Sequence, residues 1–252
     1  MKRTLQRVRA GMQRAWGEPP AASTDDVVWR DRTFQNLQAA VKRGFIADTI
    51  CDVGASNGRW SHQCMKVFPR ARYFCIDPLQ ENQAALAQLQ QASPALGYWI
   101  GCLGAHTGTV RLNADGSGSS VLNGHTNNPY GESRSVPMET LDNLIVSGIC
   151  PPPDLLKLDV QGYELQVLQG AVKTLPRICG IIAEVSFFSF QTGMPVFHEV
   201  VAYLADAGFA VYDIFSMRPR PLDGAPGQAD LFFVRGDSPL RTNIKWDCDS
   251  VY

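Results

Sequence analysis

Residues 49–60, TICDVGASNGRW, combine a strand, a glycine loop and the start of a helix, and this order restricts the fold more than any other stretch. The first five residues are mostly compact apolar or β-branched side chains, which suit a central strand. The small residues at 54–58 let the backbone turn tightly and let a ligand approach closely. Apolar residues at helical spacing follow, and Pro69 ends them. The stretch predicts a strand–turn–helix unit that binds a ligand at its turn.

The spacing of the glycines argues against a dinucleotide as that ligand. A dinucleotide site needs G-x-G-x-x-G, so that the helix N-terminus can hold a pyrophosphate. Here Gly54 and Gly58 are four residues apart, and Ala55 fills the position of the middle glycine. Asp52 precedes the loop, where its carboxylate would repel a phosphate but attract an ammonium. A phosphate-free ligand with an amino-acid end and a nucleoside end fits better, and S-adenosylmethionine is such a ligand. The alternative is an ordinary strand-to-helix turn.

A second acid stands at the end of the next predicted strand. Residues 72–76 are strand-like, Asp77 follows them, and Pro78 fixes the turn. A carboxylate about 20 residues beyond the glycine loop is placed to bind both hydroxyls of a ribose. The alternative role of Asp77 is to cap the following helix.

The chain continues as an alternation of strands and helices. A helix is predicted over residues 26–44, and residues 45–100 repeat the order strand–helix–strand–helix–strand. This order predicts a parallel sheet with helices on both faces. Short strands at 110–112 and 136–138 then flank a segment rich in Gly, Ser and Asn at 115–131. We expect that segment to be a lid that orders over the ligand.

Two later strands supply the candidate catalytic acids. The strand 155–158 delivers Asp159 to its carboxyl end, where open α/β sheets bind ligands beside the topological switch. The alternative role of Asp159 is to cap the helix predicted at 163–175. Glu184 lies inside the apolar strand 181–185, where a carboxylate must be paired, protonated or bound to a ligand.

The bulk composition excludes several classes of function. The chain has 23 basic and 24 acidic residues, so its net charge creates no positive electrostatic field that would attract nucleic acid or an anionic membrane. Seven cysteines without CxxC pairs or metal-type spacing predict reduced thiols in a cytoplasmic protein. No apolar run approaches the roughly 20 residues that span a bilayer. Residues 1–18 form a basic amphipathic pattern, which is consistent either with peripheral membrane contact or with a packed or frayed terminus.

Together these motifs resemble the FkbM family of S-adenosylmethionine-dependent methyltransferases, over about residues 45–236. The motifs that carry the resemblance are DVGASNG at 52–58, DP at 77–78, ETLD at 139–142, KLDVQGYELQVLQGA at 157–171 and AEVSF at 183–187. The resemblance implies a Rossmann-like class I fold, with a seven-stranded, mostly parallel sheet whose last strand is antiparallel. We therefore expect a basic segment and linker at 1–25, a methyltransferase domain at 26–236 and a tail at 237–252.

The family reaction implied is methyl transfer to a hydroxyl, often that of a sugar or polyketide. Asp159, assisted by Lys157 or Glu184, is predicted to orient or deprotonate this hydroxyl. In the alternative, Asp159 and Glu184 hold a divalent metal, and we favour the metal-free form. A non-catalytic scaffold that binds a nucleoside or glycan is a second hypothesis, and an NAD enzyme is disfavoured by the missing glycine. The candidate cofactor-binding residues are Asp52, Gly54, Ala55, Ser56, Asn57, Gly58, Asp77, Pro78, Cys102 and Asp159.

Overall fold

The computed structural model describes residues 32–122 and 132–245. In chain order its helices and strands are α1 (Thr33–Lys42), β1 (Thr49–Val53), α2 (Arg59–Cys64), β2 (Arg72–Asp77), α3 (Gln83–Ala92), β3 (Leu96–Ile100), β4 (Cys102–Leu103), β5 (Gly108–Ala114), β6 (Glu132–Glu139), α4 (Leu141–Val146), β7 (Leu155–Leu158), α5 (Glu164–Gln169), β8 (Gly180–Ser186), α6 (Phe197–Asp206), β9 (Phe209–Pro219) and β10 (Pro226–Arg235). None of the described helices is long and apolar enough to cross a bilayer.

The main sheet has seven strands in the order β3-β2-β1-β7-β8-β10-β9. Neighbouring strands among β3, β2, β1, β7 and β8 pair in parallel. Strand β10 lies between β8 and β9 and is antiparallel to both. This arrangement confirms the seven-stranded α/β fold with an antiparallel last strand. The chain builds one half of the sheet outward from β1 and then returns to add β7 on its other side. The topological switch therefore lies between β1 and β7, whose carboxyl ends form the crevice in which such sheets bind ligands.

Both faces of the central strands are buried, because helices cover the sheet on each side. In β1, Cys51 and Val53 belong to one apolar cluster and Ile50 belongs to the other. All five residues of this strand are buried, including the charged Asp52. The continuous burial explains why β1 has an unalternating apolar sequence, as expected for a parallel sheet with both faces covered.

A second, three-stranded sheet lies between β3 and α4 in the sequence. Its order is β4-β6-β5, with β5 and β6 antiparallel and Val110 opposite Val136. The two short strands predicted around the polar segment are confirmed, and each is longer than predicted. Their association into a separate sheet was not predicted. Residues 123–131 of the expected lid lie outside the described part, so the lid stays a prediction.

Three predicted boundaries differ from the structure. The helix predicted at 163–175 ends at Gln169, with Gly170 as its C-cap residue; a Cβ at Gly170 would lie 2.0 Å from the carbonyl oxygen of Gly104, so only glycine fits there. The last two strands, which the sequence predicts at 209–215 and 231–234, are longer in the structure, since they pair with each other along a hairpin as β9 and β10. The sequence predicts a rim loop at 218–221 between these two strands, but Arg218 and Pro219 are the last residues of β9.

The two ends of the chain are described only in part. The first helix begins at Thr33, so the first residues of the helix predicted at 26–44 lie outside the described part. The basic segment and linker at 1–25 lie outside it as well, and the membrane hypothesis for residues 1–18 stays a prediction. The expected tail includes a short 3₁₀ turn, Pro239–Arg241, and its residues 246–252 are not described.

Replacing Gly54 by alanine tests how tightly the glycine loop packs. Gly54 has φ +76°, and a Cβ there would lie 1.8 Å from the carbonyl oxygen of Asp159. We expect Gly54→Ala to lower the free energy of unfolding by about 2–5 kcal/mol, from left-handed strain plus overpacking. Gly148 is a matched control, because its φ is +74° but a Cβ there would have no atom within 4 Å. Gly148→Ala should cost only about 1–2 kcal/mol. Equal losses in urea unfolding would contradict the close packing.

Candidate active site

The backbone amides of the glycine loop hold it against the end of β2. The amides of Gly54 and Ala55 both donate to the carbonyl of Ile76, at 2.9 and 3.0 Å. Ser56 has φ +49°, a left-handed conformation that is uncommon outside glycine and concentrates at functional sites. The amide of Ser56 donates to Asp77 at 2.7 Å. The loop thus has a defined shape that presents Gly54 and Ser56 to the crevice.

Lys157 is a buried cation that joins this loop to Asp159. Its Nζ donates to the carbonyl of Gly54 at 3.1 Å and lies 3.5 Å from Asp159 Oδ2. Burial disfavours the ammonium, but the carboxylates of Asp52 and Asp159 outweigh it and raise the pKa of Lys157 above its ordinary value. The side chain therefore stays protonated at neutral pH. It can orient neighbouring groups, but it cannot remove a proton from an acceptor.

Asp52 lies beneath the loop and does not face the crevice. Its side chain is fully buried, and Oδ2 accepts a hydrogen bond from Ser61 Oγ at 2.7 Å. Oδ1 lies 3.1 Å from Lys157 Nζ, in an ion pair without the alignment of a hydrogen bond. The charge of Asp52 is thus directed at Lys157 rather than at a ligand ammonium. Asp52 therefore lies beneath the surface of the crevice and does not form part of that surface.

A cavity opens at the carboxyl ends of β1 and β2, where the sequence predicts that a cofactor binds, and after that prediction we call it the cofactor cavity. Six predicted cofactor-binding residues line it, namely Gly54, Ser56, Asp77, Pro78, Cys102 and Asp159. The other four do not line it, namely Asp52, Ala55, Asn57 and Gly58. Apolar side chains form much of the remaining wall, among them Ile76, Leu79 and Leu103. The cavity therefore combines an apolar slot with a few polar groups, as small-molecule sites do.

Asp77 holds the turn after β2 and lies on the cavity wall, and its binding of a ribose stays a prediction. Oδ1 accepts hydrogen bonds from the Leu79 amide at 3.0 Å and from Asn82 Nδ2 at 2.8 Å, which hold the turn after β2. Oδ2 accepts from the amide of Ser56 and lies on the cavity wall. Burial raises the pKa of Asp77, and its hydrogen bonds oppose that rise. A carboxylate has about four acceptor sites, so about one remains for a ligand hydroxyl.

Asp159 stands at the mouth of the cofactor cavity with both oxygens oriented by neighbours. Its side chain is 34% exposed, Oδ2 faces Lys157, and Oδ1 accepts from Gln161 Nε2 at 2.8 Å. Gln161 has φ +52°, so its backbone is strained. Buried Glu164 supports this turn by accepting from the amides of Val160 and Gly162, at 3.1 and 3.2 Å. Burial raises the pKa of Glu164 to about 7.

Gln161 is the functional residue that the sequence interpretation missed. Its Nε2 also donates to Glu184 Oε2 at 3.1 Å, so one amide bridges two predicted catalytic acids. The sequence signal that could have identified Gln161 is its position, two residues after the strand-end Asp159 and just before Gly162. Among the described residues, no group of three or more His, Cys, Asp or Glu side chains could hold a metal ion.

Glu184 is paired, which confirms one of the three states expected for a carboxylate in this strand. It is 3% exposed and accepts from Arg218 Nη2 at 2.6 Å and from Gln228 Nε2 at 2.9 Å, besides Gln161. Burial and then the nearby Asp159 carboxylate raise the pKa of Glu184 to about 8, while Arg218 opposes the rise. Glu184 thus connects the crevice to the hairpin of β9 and β10.

Comparison with known proteins decides the family. Residues 52–211, more than half of the chain, match the family described as the methyltransferase FkbM domain. The chain belongs to the FkbM methyltransferase family. The span of the match includes the glycine loop, Asp77, Asp159 and Glu184, whereas Arg218 and Gln228, which contact Glu184, lie beyond it.

Individual relatives of this FkbM chain are distant. It is 25% identical over 168 residues to hexuronic acid methyltransferase AglP of Haloferax volcanii, a match that covers 63% of this chain and 66% of AglP, just under two thirds. The chain is also similar to the crystal structure of methyltransferase FkbM from Methylobacillus flagellatus, with 15% sequence identity and a TM-score of 0.48. That match covers 73% of this chain and 43% of the other chain. The crystal structure of Aeropyrum pernix fibrillarin in complex with S-adenosylmethionine is 13% identical, with a TM-score of 0.45. That match covers 86% of this chain and 85% of the fibrillarin chain. Both TM-scores are low, and we base no assignment on them.

The pKa of Glu184 predicts how stability changes with pH. The folded protein keeps a proton on Glu184 up to about pH 8, whereas the unfolded chain loses it near pH 4.5. Because the folded state binds more protons in this window, the free energy of unfolding should fall as pH rises through it. Glu184→Gln should make that fall shallower in urea unfolding across the window.

Glu81 provides the control for this measurement. It is exposed, and its hydrogen bond with Arg134 lowers its pKa below the ordinary value of 4.5. Its proton linkage therefore lies below the window, and Glu81→Gln should leave the pH dependence unchanged. An unaltered slope in Glu184→Gln would mean that Glu184 is ionised at neutral pH.

Proposed function

We propose that this chain is an S-adenosylmethionine-dependent O-methyltransferase that acts on a hydroxyl of a sugar or glycan. The observation that carries the proposal is the cofactor cavity, which the glycine loop, Asp77 and Asp159 line together at the carboxyl ends of β1, β2 and β7. The family supports methyl transfer, and the relative that acts on a hexuronic acid supports a sugar acceptor.

The residues around the cofactor cavity fit the parts of S-adenosylmethionine. Asp77 has acceptor capacity for a ribose hydroxyl, and the apolar wall formed by Ile76, Leu79 and Leu103 suits an adenine ring. The end near Ser56 and Asp159 suits the amino-acid portion, because a loop amide and a carboxylate lie there. When bound, S-adenosylmethionine supplies an electrophilic methyl group, and its sulfur keeps the electron pair of the broken bond.

Asp159 is the proposed group that orients the acceptor hydroxyl and takes its proton. Its carboxylate is partly exposed at the cavity mouth, so an acceptor can reach it. Lys157 and Gln161 each hold one of its oxygens, which reduces the freedom that must be lost when the acceptor is aligned. Transfer without a metal is the form that we favour, and the Gln161 amide that donates to both Asp159 and Glu184 supports it.

Substitution of Asp77 tests the placement of the cofactor. We expect Asp77→Ala to weaken S-adenosylhomocysteine binding at least ten-fold in calorimetry, because the ribose contact is lost. NAD should not bind the unmodified protein. Since Asp77 also supports the loop, Asp142→Ala is a matched control: Asp142 accepts three hydrogen bonds from Lys173 and Thr174, and it does not line the cavity. Intact binding by Asp77→Ala would show that the cofactor lies elsewhere.

Substitution of Asp159 separates catalysis from binding. Labelled S-adenosylmethionine is incubated with a panel of glycans, and methylated products are detected by mass spectrometry. Asp159→Asn should lower turnover by about 100-fold or more while S-adenosylhomocysteine still binds. Asp206→Asn, an exposed change on α6, should leave turnover unchanged.

Three outcomes of the same assay would contradict the proposal or a part of it. Full turnover by Asp159→Asn would remove Asp159 from catalysis. Loss of turnover by the unmodified protein in EDTA would favour the metal-dependent alternative. Cofactor binding without methylation of any acceptor in the panel would favour the non-catalytic scaffold.

A further inference from the structure

The chain that follows β5 forms part of the cofactor cavity, and we call residues 116–122 the wall segment. Three residues of this segment line the cavity, namely Gly116, Ser119 and Val121. The segment is fixed to the end of β5, because the amide and the carbonyl of Ser120 form hydrogen bonds with the backbone of Asn113, at 3.2 and 2.9 Å. A ligand that fills the cavity therefore contacts a segment that does not belong to the main sheet.

The side chain of Ser120 joins the wall segment to Gln161. Ser120 is 4% exposed, and its Oγ donates to the backbone carbonyl of Gln161 at 2.8 Å. The same oxygen accepts a hydrogen bond from the amide of Leu122 at 3.1 Å. Leu122 in turn packs on the residue after Gln161, since a Cβ at Gly162 would lie 2.9 Å from Leu122 Cδ1. The wall segment thus contacts the turn at 161–162 both by a hydrogen bond and by an apolar contact.

The residue that Ser120 holds is the one that orients Asp159. Gln161 has φ +52°, and its Nε2 donates to Asp159 Oδ1 at 2.8 Å. A left-handed backbone at a residue other than glycine persists only where the surrounding contacts determine it. The bond from Ser120 is such a contact, because it fixes the carbonyl of the strained residue itself. The direction of the Gln161 side chain, and with it the orientation of Asp159, therefore depends on the position of the wall segment.

We propose that Ser120 is a positioning residue, whose hydrogen bond to Gln161 closes the wall segment over the cofactor and at the same time aligns Asp159. The inference rests on the proposed function and deepens it, because it adds to the same site a residue that does not line the cavity. A ligand that contacts the wall segment stabilises the closed arrangement, and by reciprocity the closed arrangement strengthens binding of the ligand by the same factor. Cofactor binding and the orientation of Asp159 thus favour each other.

The dissociation rate of S-adenosylhomocysteine tests the closing of the wall segment. Ser120→Ala removes the bond to Gln161 and leaves the residues that line the cavity unchanged. We expect dissociation from this variant to be about five-fold faster or more in surface plasmon resonance, with little change in the association rate. Ser120→Thr keeps a hydroxyl that can donate the same bond, so it should restore the rate to within about two-fold of the unmodified protein.

Ser238→Ala is a matched control for a purely structural effect. Ser238 is 9% exposed, and its Oγ accepts from the amide of Leu240, two residues further on, just as Ser120 Oγ accepts from Leu122. Ser238 lies after β10 and does not line the cofactor cavity. Ser238→Ala should therefore lower the free energy of unfolding in urea but leave the dissociation rate unchanged. An equal acceleration in Ser238→Ala would show general loosening of the fold and would overturn the inference.

The side-chain amide of Gln161 reports on the alignment of Asp159 without any methyl acceptor. Its signal in the NMR spectrum of the ¹⁵N-labelled chain is identified by its loss in Gln161→Leu. Saturating S-adenosylhomocysteine should slow exchange of its hydrogens with water several-fold in the unmodified protein, because the closed wall segment holds Gln161 in place. In Ser120→Ala the ligand should cause no such slowing. Equal slowing in the two proteins would show that the ligand acts on Gln161 without Ser120.

A second variant covers the case in which Ser120→Ala fails to fold. Ser120→Cys keeps a side chain of similar shape but offers only a weak donor, so it should also accelerate dissociation. Dissociation at the unmodified rate from both Ser120→Ala and Ser120→Cys, or from whichever of them folds, would overturn the inference alone. Failure of the unmodified protein to bind S-adenosylhomocysteine would instead overturn the proposed function, and the inference with it, so the two failures are distinguishable.

Discussion

The buried ammonium of Lys157 is the interaction on which the geometry of this site depends. It lies at the switch between β1 and β7, within 3.1 Å of Asp52 Oδ1 and 3.5 Å of Asp159 Oδ2, and it donates to the carbonyl of Gly54. Removing an ammonium from water costs several kcal/mol, so the charge is tolerated only because two carboxylates and a carbonyl surround it. The same requirement explains why a strand as apolar as β1 contains Asp52, which lies opposite Lys157 in the sheet register.

Polar contacts continue from Lys157 through Asp159, Gln161, Glu184 and Arg218, and so connect the cofactor cavity to the hairpin of β9 and β10. Each neighbour in this series restricts the next, and a network whose members are all paired specifies one geometry more strongly than its separate contacts do. The left-handed backbone of Gln161, at φ +52°, fits this picture because strain persists only where the surrounding contacts determine it. A change at Arg218 therefore acts on Asp159 through two shared hydrogen-bonded residues.

The acidic side chains in and around this network outnumber its basic side chains. Glu184 lies opposite Asp230 across the register of β8 and β10, and burial is the first cause of the raised pKa of each. The Asp159 carboxylate raises both pKa values further. Buried acids crowded together in this way cost stability, and they are typical of functional sites, where the proton affinity of a carboxyl group matters more than its contribution to folding.

The sequence by itself determined the order of strands and helices, the glycine loop, and the strand-end acids Asp77 and Asp159. These features are local: hydrophobic periodicity marks each element, and the carboxyl ends of parallel strands necessarily meet at one edge of the sheet. Only the tertiary structure decided that Asp52 faces Lys157 rather than a ligand, that Gln161 bridges two acids, and that Arg218 reaches Glu184 from an extended strand. Those contacts depend on strand order, register and hairpin length, which bring together residues far apart in the chain and leave no trace in any local pattern.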